Sequence, residues 1–241
     1  MPGCTLLTDK EDVAPYECDG LAAYRQLPLG VVLPESEAQV QGGLRLCAHH
    51  GIPVVPRGAG SGLSGGAMPL REGVVLSLAR MRKIINVDPY ARTATLQPGV
   101  RNLAISEAAS PYGLYYAPDP SSQIACTIGG NVAENSDGVH CLKYGLTVNN
   151  VVRVRAVTMD GEICEFGSPG LDLRAVLIGS EGMFAIVTEV TVRLIPKPQV
   201  AQVVRRVSMM SKSEVRLWQR SLQAGSSRRD LKCSIAPQRK L

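Results

Sequence analysis

Apolar positions come in short runs separated by turn residues, and the runs alternate between strand and helix character. Gly30-Val31-Val32-Leu33 reads as a strand ended by Pro34. Pro34-Glu35-Ser36-Glu37 then opens a helix, with acidic residues in the first turn to complement its dipole. Ala38, Val40, Leu44, Leu46 and Cys47 form its apolar side, and Gly51 ends it. Ile52-Pro53-Val54-Val55 and Val74-Val75-Leu76-Ser77-Leu78 are further strands. Alternation over 84–88 and 93–97 around Pro89-Tyr90, and over 151–157 and 162–166 around Met159-Asp160-Gly161, predicts two hairpins. Arg101–Ser110 reads as a helix, and Ala185–Leu194 as a β-rich run closed by Pro196-Lys197-Pro198. Residues 1–27 show no regular pattern and read as a leader with a turn at 15–20. The sum is an α+β fold built on hairpins rather than on repeated βαβ units.

Between the strands at 52–55 and 74–78 lies Pro56-Arg57-Gly58-Ala59-Gly60-Ser61-Gly62-Leu63-Ser64-Gly65-Gly66, with five glycines in nine residues. Glycine admits positive φ and lets a ligand reach main-chain N–H groups. Successive N–H groups in such a turn make an anion-binding concavity, suited to phosphate or pyrophosphate. Gly60–Gly65 formally fits the GxGxxG dinucleotide fingerprint, but that fingerprint needs a helix to start inside it. Here Pro69, Gly73 and a strand follow. The P-loop pattern fails as well, because Gly66 and Ala67 stand where Lys and Ser/Thr are required. The loop therefore predicts a phosphate cradle in a different fold.

Composition narrows the class. At 241 residues the chain suffices for one large domain or two small ones. No run approaches the roughly 18 apolar residues of a membrane span, and the N-terminus carries no basic-then-apolar signal. Seven cysteines are scattered without a CxxC pair, which argues against a disulfide framework or a zinc site and suits a reducing cytoplasm. The net charge of +5 resides at one end. Residues 201–241 carry ten Lys/Arg against two Asp/Glu, so residues 1–200 are net acidic and show no basic stripe for nucleic acid.

Three more loops carry chemistry. Ala117-Pro118-Asp119-Pro120-Ser121-Ser122 is stiff and polar. Ile128-Gly129-Gly130-Asn131-Val132-Ala133-Glu134-Asn135-Ser136-Asp137-Gly138 reads as a second glycine loop, and Gly179-Ser180-Glu181-Gly182 as a third. Each alone is an ordinary turn. Four at strand and helix ends predict one long ligand gripped at several points.

In that order, PRGAGSGLSGG, PDP, IGGNVAENSDG and GSEGMFAIVTEVTVRL resemble the FAD-linked oxidase family with the vanillyl-alcohol-oxidase type of FAD-binding domain. Tyr16-Glu17-Cys18-Asp19-Gly20-Leu21 and His140-Cys141-Leu142-Lys143-Tyr144-Gly145-Leu146-Thr147 are similar to the FAD-binding subunits of the bacterial glycolate-oxidase group. D-lactate and D-2-hydroxyglutarate dehydrogenases are that group's near relatives. The resemblance spans about residues 5–204. It implies two α+β subdomains over 28–204 with FAD between them and a C-terminal cap domain missing. It implies that Pro56, Arg57, Gly58, Ala59, Gly60, Ser61, Gly62, Leu63, Ser64, Gly65 and Gly66 hold the pyrophosphate. Pro118, Asp119, Pro120 and Ser121 are expected along the pyrophosphate–ribityl side. Gly129, Gly130 and Asn131 are expected at the flavin's middle, and Glu181, Gly182, Ile186 and Val187 at its border. Arg57 is expected to anchor the loop or meet phosphate rather than to catalyse. With no histidine in the loop, FAD is expected to be non-covalent.

The implied reaction is oxidation of a small 2-hydroxy acid to a 2-oxo acid, with flavin doing the redox work. The implied partners are other glycolate-oxidase-type subunits, one of them iron–sulfur. The expected location is cytoplasmic, at most peripheral to the membrane through those subunits. The family's substrate-binding motifs, HxGDGNxH and EHGxG, do not occur, and the chain has three histidines. His49 and His50 are expected to serve a helix end and His140 a structural role, which leaves the catalytic residues unassigned and raises the alternative of an FAD-binding module or truncated product without turnover. The start also reads as shortened relative to the family. The basic segment 205–241 departs from the family. Val215, Trp218 and Leu222 have helical spacing there, but a reading-frame shift near Val207 with early termination is expected to account for it, a point that sequencing the gene decides.

Overall fold

A computed structural model describes residues 3–167 and 171–199. The basic segment 205–241 lies outside the described residues. The first lobe carries β1 (Thr5–Leu7), β2 (Gly30–Leu33), β3 (Val54–Arg57) and β4 (Val74–Ser77) in one sheet of order β1-β2-β4-β3. β2, β4 and β3 run parallel and β1 is antiparallel to β2. The opening residues, expected to be irregular, thus supply an edge strand, followed by the one-turn helix α1 (Lys10–Val13).

Parallel neighbours need crossovers. One is α2 (Glu37–His50), which joins β2 to β3 while β4 inserts between them, so the fold contains a βαβ unit that the hairpin-based expectation missed. Ser36 caps α2 by accepting from Gln39 N, and Gly51 closes it at φ 64°, donating to Ala48 O. The other crossover, 58–73, contains no helix among the described residues, in keeping with the failed dinucleotide fingerprint.

The second lobe is the antiparallel sheet β5-β6-β10-β8-β9, from β5 (Ile84–Asp88), β6 (Thr93–Leu96), β8 (Val151–Val157), β9 (Ile163–Phe166) and β10 (Ile186–Arg193). Both predicted hairpins pair as expected. Strand β7 (Leu114–Tyr115) pairs with β11 (Ile195–Pro196) in a small third sheet. Helix α3 (Asn102–Ala109) and helix α4 (Ile128–Glu134) supply Ile105, Ala109, Ile128 and Val132 to the core of this lobe, with Leu96, Val154, Val190 and Val192 from the sheet. Three single-turn helices, α5 (Cys141–Tyr144), α6 (Thr147–Asn150) and α7 (Arg174–Leu177), complete the fold.

Residues 128–134, expected to be loop, are helix. Gly129 and Gly130 lower helix propensity, yet packing decides. A Cβ on Gly129 would lie 2.6 Å from Pro98 Cβ, so that glycine serves close approach rather than a turn.

The lobes share a second apolar cluster. Val40 and Leu44 of α2 pack on Leu76, Leu78 and Met81, and these meet Val157 and Ile186 of the antiparallel sheet. A polar clamp reinforces this seam. Arg155 in β8 donates from Nε and Nη2 to both carboxylate oxygens of Glu37, each at 2.8 Å, and Thr188 Oγ1 donates to Glu37 Oε2 at 2.8 Å. The fork holds the Glu37 carboxyl below the ordinary carboxylate range.

Candidate cofactor site

Between the lobes lies a partly open cleft with a cavity volume of about 140 Å³. Three segments wall it: 56–62 with Gly66 and Ala67 after β3, Thr127–Glu134 around α4, and 180–187 entering β10. Two main-chain bonds fix the second wall to the third, Gly179 N to Val132 O at 2.9 Å and Glu181 N to Ala133 O at 2.8 Å. The third wall turns through positive φ at Gly179, Glu181 and Gly182.

The structure gathers most of the residues expected to meet the ligand. Pro56, Arg57, Gly58, Ala59, Gly60, Ser61, Gly62, Gly66, Gly129, Gly130, Asn131, Glu181, Gly182, Ile186 and Val187 line this cleft. Leu63, Ser64 and Gly65 belong to the loop tip and are not among its lining residues, and the Leu63 side chain is exposed. Pro118, Asp119, Pro120 and Ser121 are also absent from the lining, although Ser122 is present. Asp119 has another partner. Its Oδ2 pairs with His140 Nδ1 at 2.5 Å and its Oδ1 accepts from His140 N at 3.2 Å. These bonds hold His140 against the 118–121 segment. Pro118 O accepts from Asn102 Nδ2, and Asn102 Oδ1 accepts from Asn131 Nδ2, each at 2.9 Å, so the buried Asn131 side chain braces α4 against the 118 segment.

Arg57 is 8% exposed, and its Nη1 donates to Cys18 O at 2.8 Å and Ala67 O at 3.4 Å. Its guanidinium sits over the Tyr16 ring, 5.5 Å from the centroid. Burial pulls the Arg57 pKa down, against the opposing pull of Cys18, Asp19 and Tyr16. The side chain thus ties the Tyr16–Leu21 segment to both ends of the glycine loop. Gly20 permits the approach, since a Cβ there would lie 2.7 Å from Gly62 O.

Sequence reasoning missed several lining residues, among them Leu78, Cys126, Thr127, Glu134 and Ser180. Thr127 is 6% exposed, and its Oγ1 is buried without a hydrogen-bond partner among the described residues. A Cβ on Gly58 would fall 2.6 Å from that oxygen, and one on Gly130 would lie 3.6 Å from it. Glu134 and Glu181 converge on the glycine loop. A Cβ on Gly62 would meet Glu134 Oε1 at 2.5 Å, and one on Gly66 would meet Glu181 Oε2 at 2.9 Å. Burial, then Glu181, then Asp19 raise the Glu134 pKa above its ordinary value.

A family model described as "FAD binding domain" matches residues 28–167, more than half of the chain. The chain belongs to this FAD-binding domain family. It is 58% identical to the glycolate oxidase subunit GlcD of Escherichia coli K12 over 208 residues, which are 84% of this chain and 42% of that protein. Identity to the glycolate oxidase subunit GlcD of Bacillus subtilis is 40%, over 76% of this chain and 40% of that protein. Identity to a D-2-hydroxyglutarate dehydrogenase of Xanthomonas citri is 36%, over 84% and 44%. Among solved structures, an alkyldihydroxyacetonephosphate synthase superposes with a TM-score of 0.74 at 27% identity, covering 81% of this chain and 38% of that one. The chain therefore spans less than half the length of these relatives.

FAD is the cofactor of this family, and the residues present fit it. Three loop and helix-end segments converge on the cleft, its glycines expose main chain where a Cβ would intrude, and Thr127 presents a buried hydroxyl with no partner among the described residues. Among the described residues no cluster of three or more His, Cys, Asp or Glu side chains is placed to hold a metal, and no helix is long and apolar enough to cross a membrane.

Proposed function

We propose that this chain is the FAD-holding portion of a flavin-dependent 2-hydroxy-acid dehydrogenase, the full-length form of which oxidises a glycolate- or D-lactate-like acid to the 2-oxo acid. The carrying observation is the convergence of the glycine loop, the N-terminal turn of α4 and the 180–187 segment on one cleft between two lobes. Residues 56–62 and Gly66 receive the pyrophosphate on main-chain N–H groups. Gly129, Gly130 and Thr127 face the cofactor's middle, and Glu181, Gly182, Ile186 and Val187 border it. Bound FAD supplies the acceptor of the two electrons and hydrogen removed from the hydroxy acid. The chain's own residues hold and orient it. The relatives named as glycolate oxidase subunits support working partners, and we include an iron–sulfur subunit among them.

The lining also defines what the chain leaves to others. A 2-hydroxy acid needs a cation for its carboxylate and a base for its hydroxyl. Among the described lining residues Arg57 is the one cation, and it is engaged by the Cys18 and Ala67 carbonyls. This favours a cofactor-binding module without turnover of its own as the state of the isolated chain. The test is to load the chain with FAD, add glycolate or D-lactate with an artificial acceptor, and follow acceptor reduction. Bound flavin without reduction is expected. Turnover by the isolated chain would contradict the assignment of substrate handling to other residues.

A further inference from the structure

Glu134 and Glu181 pose an electrostatic problem that the cofactor assignment creates. Both are on the cleft wall, both are exposed to solvent, and both converge on the glycine loop at Gly62 and Gly66. Neither makes an ion pair or side-chain hydrogen bond among the described residues. The charged groups that face Glu134 are themselves acidic. Glu181 projects from the segment before β10, and Asp19 from the opening segment, where its buried Oδ2 also has no partner. The glycine loop offers main chain there. Arg57, behind Gly60, is bonded to the Cys18 and Ala67 carbonyls.

A pyrophosphate carries two negative charges and displaces water from whatever wall it touches. Both effects disfavour an ionised carboxylate beside it. Among the described lining residues the one cation, Arg57, is already engaged, and no described cluster is placed to hold a metal ion that could bridge the charges. A proton remains. We propose that Glu134 takes up a proton as FAD enters the glycine loop, so that the neutral carboxylic acid donates a hydrogen bond in the filled cleft and flavin affinity depends on pH.

This inference rests on the FAD reading above and extends it to a residue with no assigned role. The sign follows from linkage. Below the Glu134 pKa of the free protein the proton is already present and binding is tightest. As pH rises through that value, which is above the ordinary glutamate range, each binding event must draw a proton from solvent. Affinity then falls by up to about tenfold per pH unit, the limit for one proton, until pH passes the higher pKa of the complex.

The test is calorimetric titration of the full chain with FAD from about pH 5 to about pH 8, in buffers of different ionisation heat so that protons taken up are counted directly. The wild type is expected to take up a fraction of a proton per FAD and to weaken as pH rises. Glu134→Gln is expected to bind as tightly as the wild type at the acid end and to show no pH slope. Glu181→Gln, which removes a neighbouring negative charge, is expected to move the slope to lower pH. The proton count and the Glu181→Gln shift need no Glu134 variant, so they decide the matter if Glu134→Gln fails to fold. Bound FAD with no proton uptake, or a Glu134→Gln slope equal to the wild type's, overturns the inference and leaves the cofactor site standing. A wild type that takes up no FAD at any pH overturns the cofactor reading and this inference with it.

Discussion

Gly130 separates two reasons for glycine at a binding site. Gly129 beside it is required by the protein itself, because Pro98 fills the space a Cβ would need. A Cβ on Gly130 meets only Thr127 Oγ1, at an ordinary 3.6 Å, so the protein alone would accept alanine. Inside α4 that change favours the helix by about 0.5–1 kcal/mol. Gly130→Ala is therefore expected to raise the melting temperature of the FAD-free chain. It is also expected to weaken FAD binding by about 1–3 kcal/mol, the cost of an extra methyl in a filled site. Melting curves and FAD titrations on one preparation check both, and unchanged affinity would mean that the cofactor does not lie against Gly130. The sequence displayed the glycine pair but not this difference, which depends on Pro98 and Thr127. It concealed Thr127 and Glu134 as well, because both flank or end a stretch that its glycines disguised as loop. The one local signal for Thr127 was a hydroxyl residue immediately before a helix start.

Among the elements, α2 couples the lobes whose separation sets the cleft. Of the apolar side read from the sequence, Val40, Leu44 and Cys47 are buried, whereas Ala38 and Leu46 are exposed, because they point away from the sheet that α2 covers; the 34–37 run and Gly51 marked its ends. Its partners were not legible, since Arg155 and Thr188 lie over a hundred residues away. Likewise α4 was hidden by its glycines, β1 is a three-residue strand whose signal is pairing with β2 alone, and the pairing of Asp119 with His140, 21 residues on, had no local signal. Glu37→Gln is expected to lower stability at neutral pH by about 1.5–3 kcal/mol, the range for hydrogen bonds to a charged group. The sign with pH is fixed by the direction of the shift. A carboxyl held below its unfolded value of about 4.3 stabilises fully above that value and loses the contribution as pH falls through the folded one. Urea unfolding of wild type and variant should therefore differ at neutral pH and converge in acid. A gap that persists in acid would show that the Glu37–Arg155 charge pair is not its source.

At the scale of the molecule, the family is readable from four loops in order, and the fold brings three of them to one cleft while the 118 segment is braced to α4 through Asn102 and Asn131. Two lobes of different sheet type each contribute a wall, and the glycine loop after β3 meets α4 and the segment entering β10 across the seam. The proposed grip on FAD uses main chain more than side chains, and such a grip leaves little mark on composition or charge. The central claim is that this chain alone forms that grip. Incubation with FAD, gel filtration and a visible spectrum of the protein peak test it most directly. The account predicts a flavin spectrum that travels with the protein at about one FAD per chain, with the flavin released when the protein is precipitated by acid, as expected for a loop that carries no histidine to bond it. Flavin eluting apart from a folded chain, or flavin that stays in the acid pellet, would contradict it.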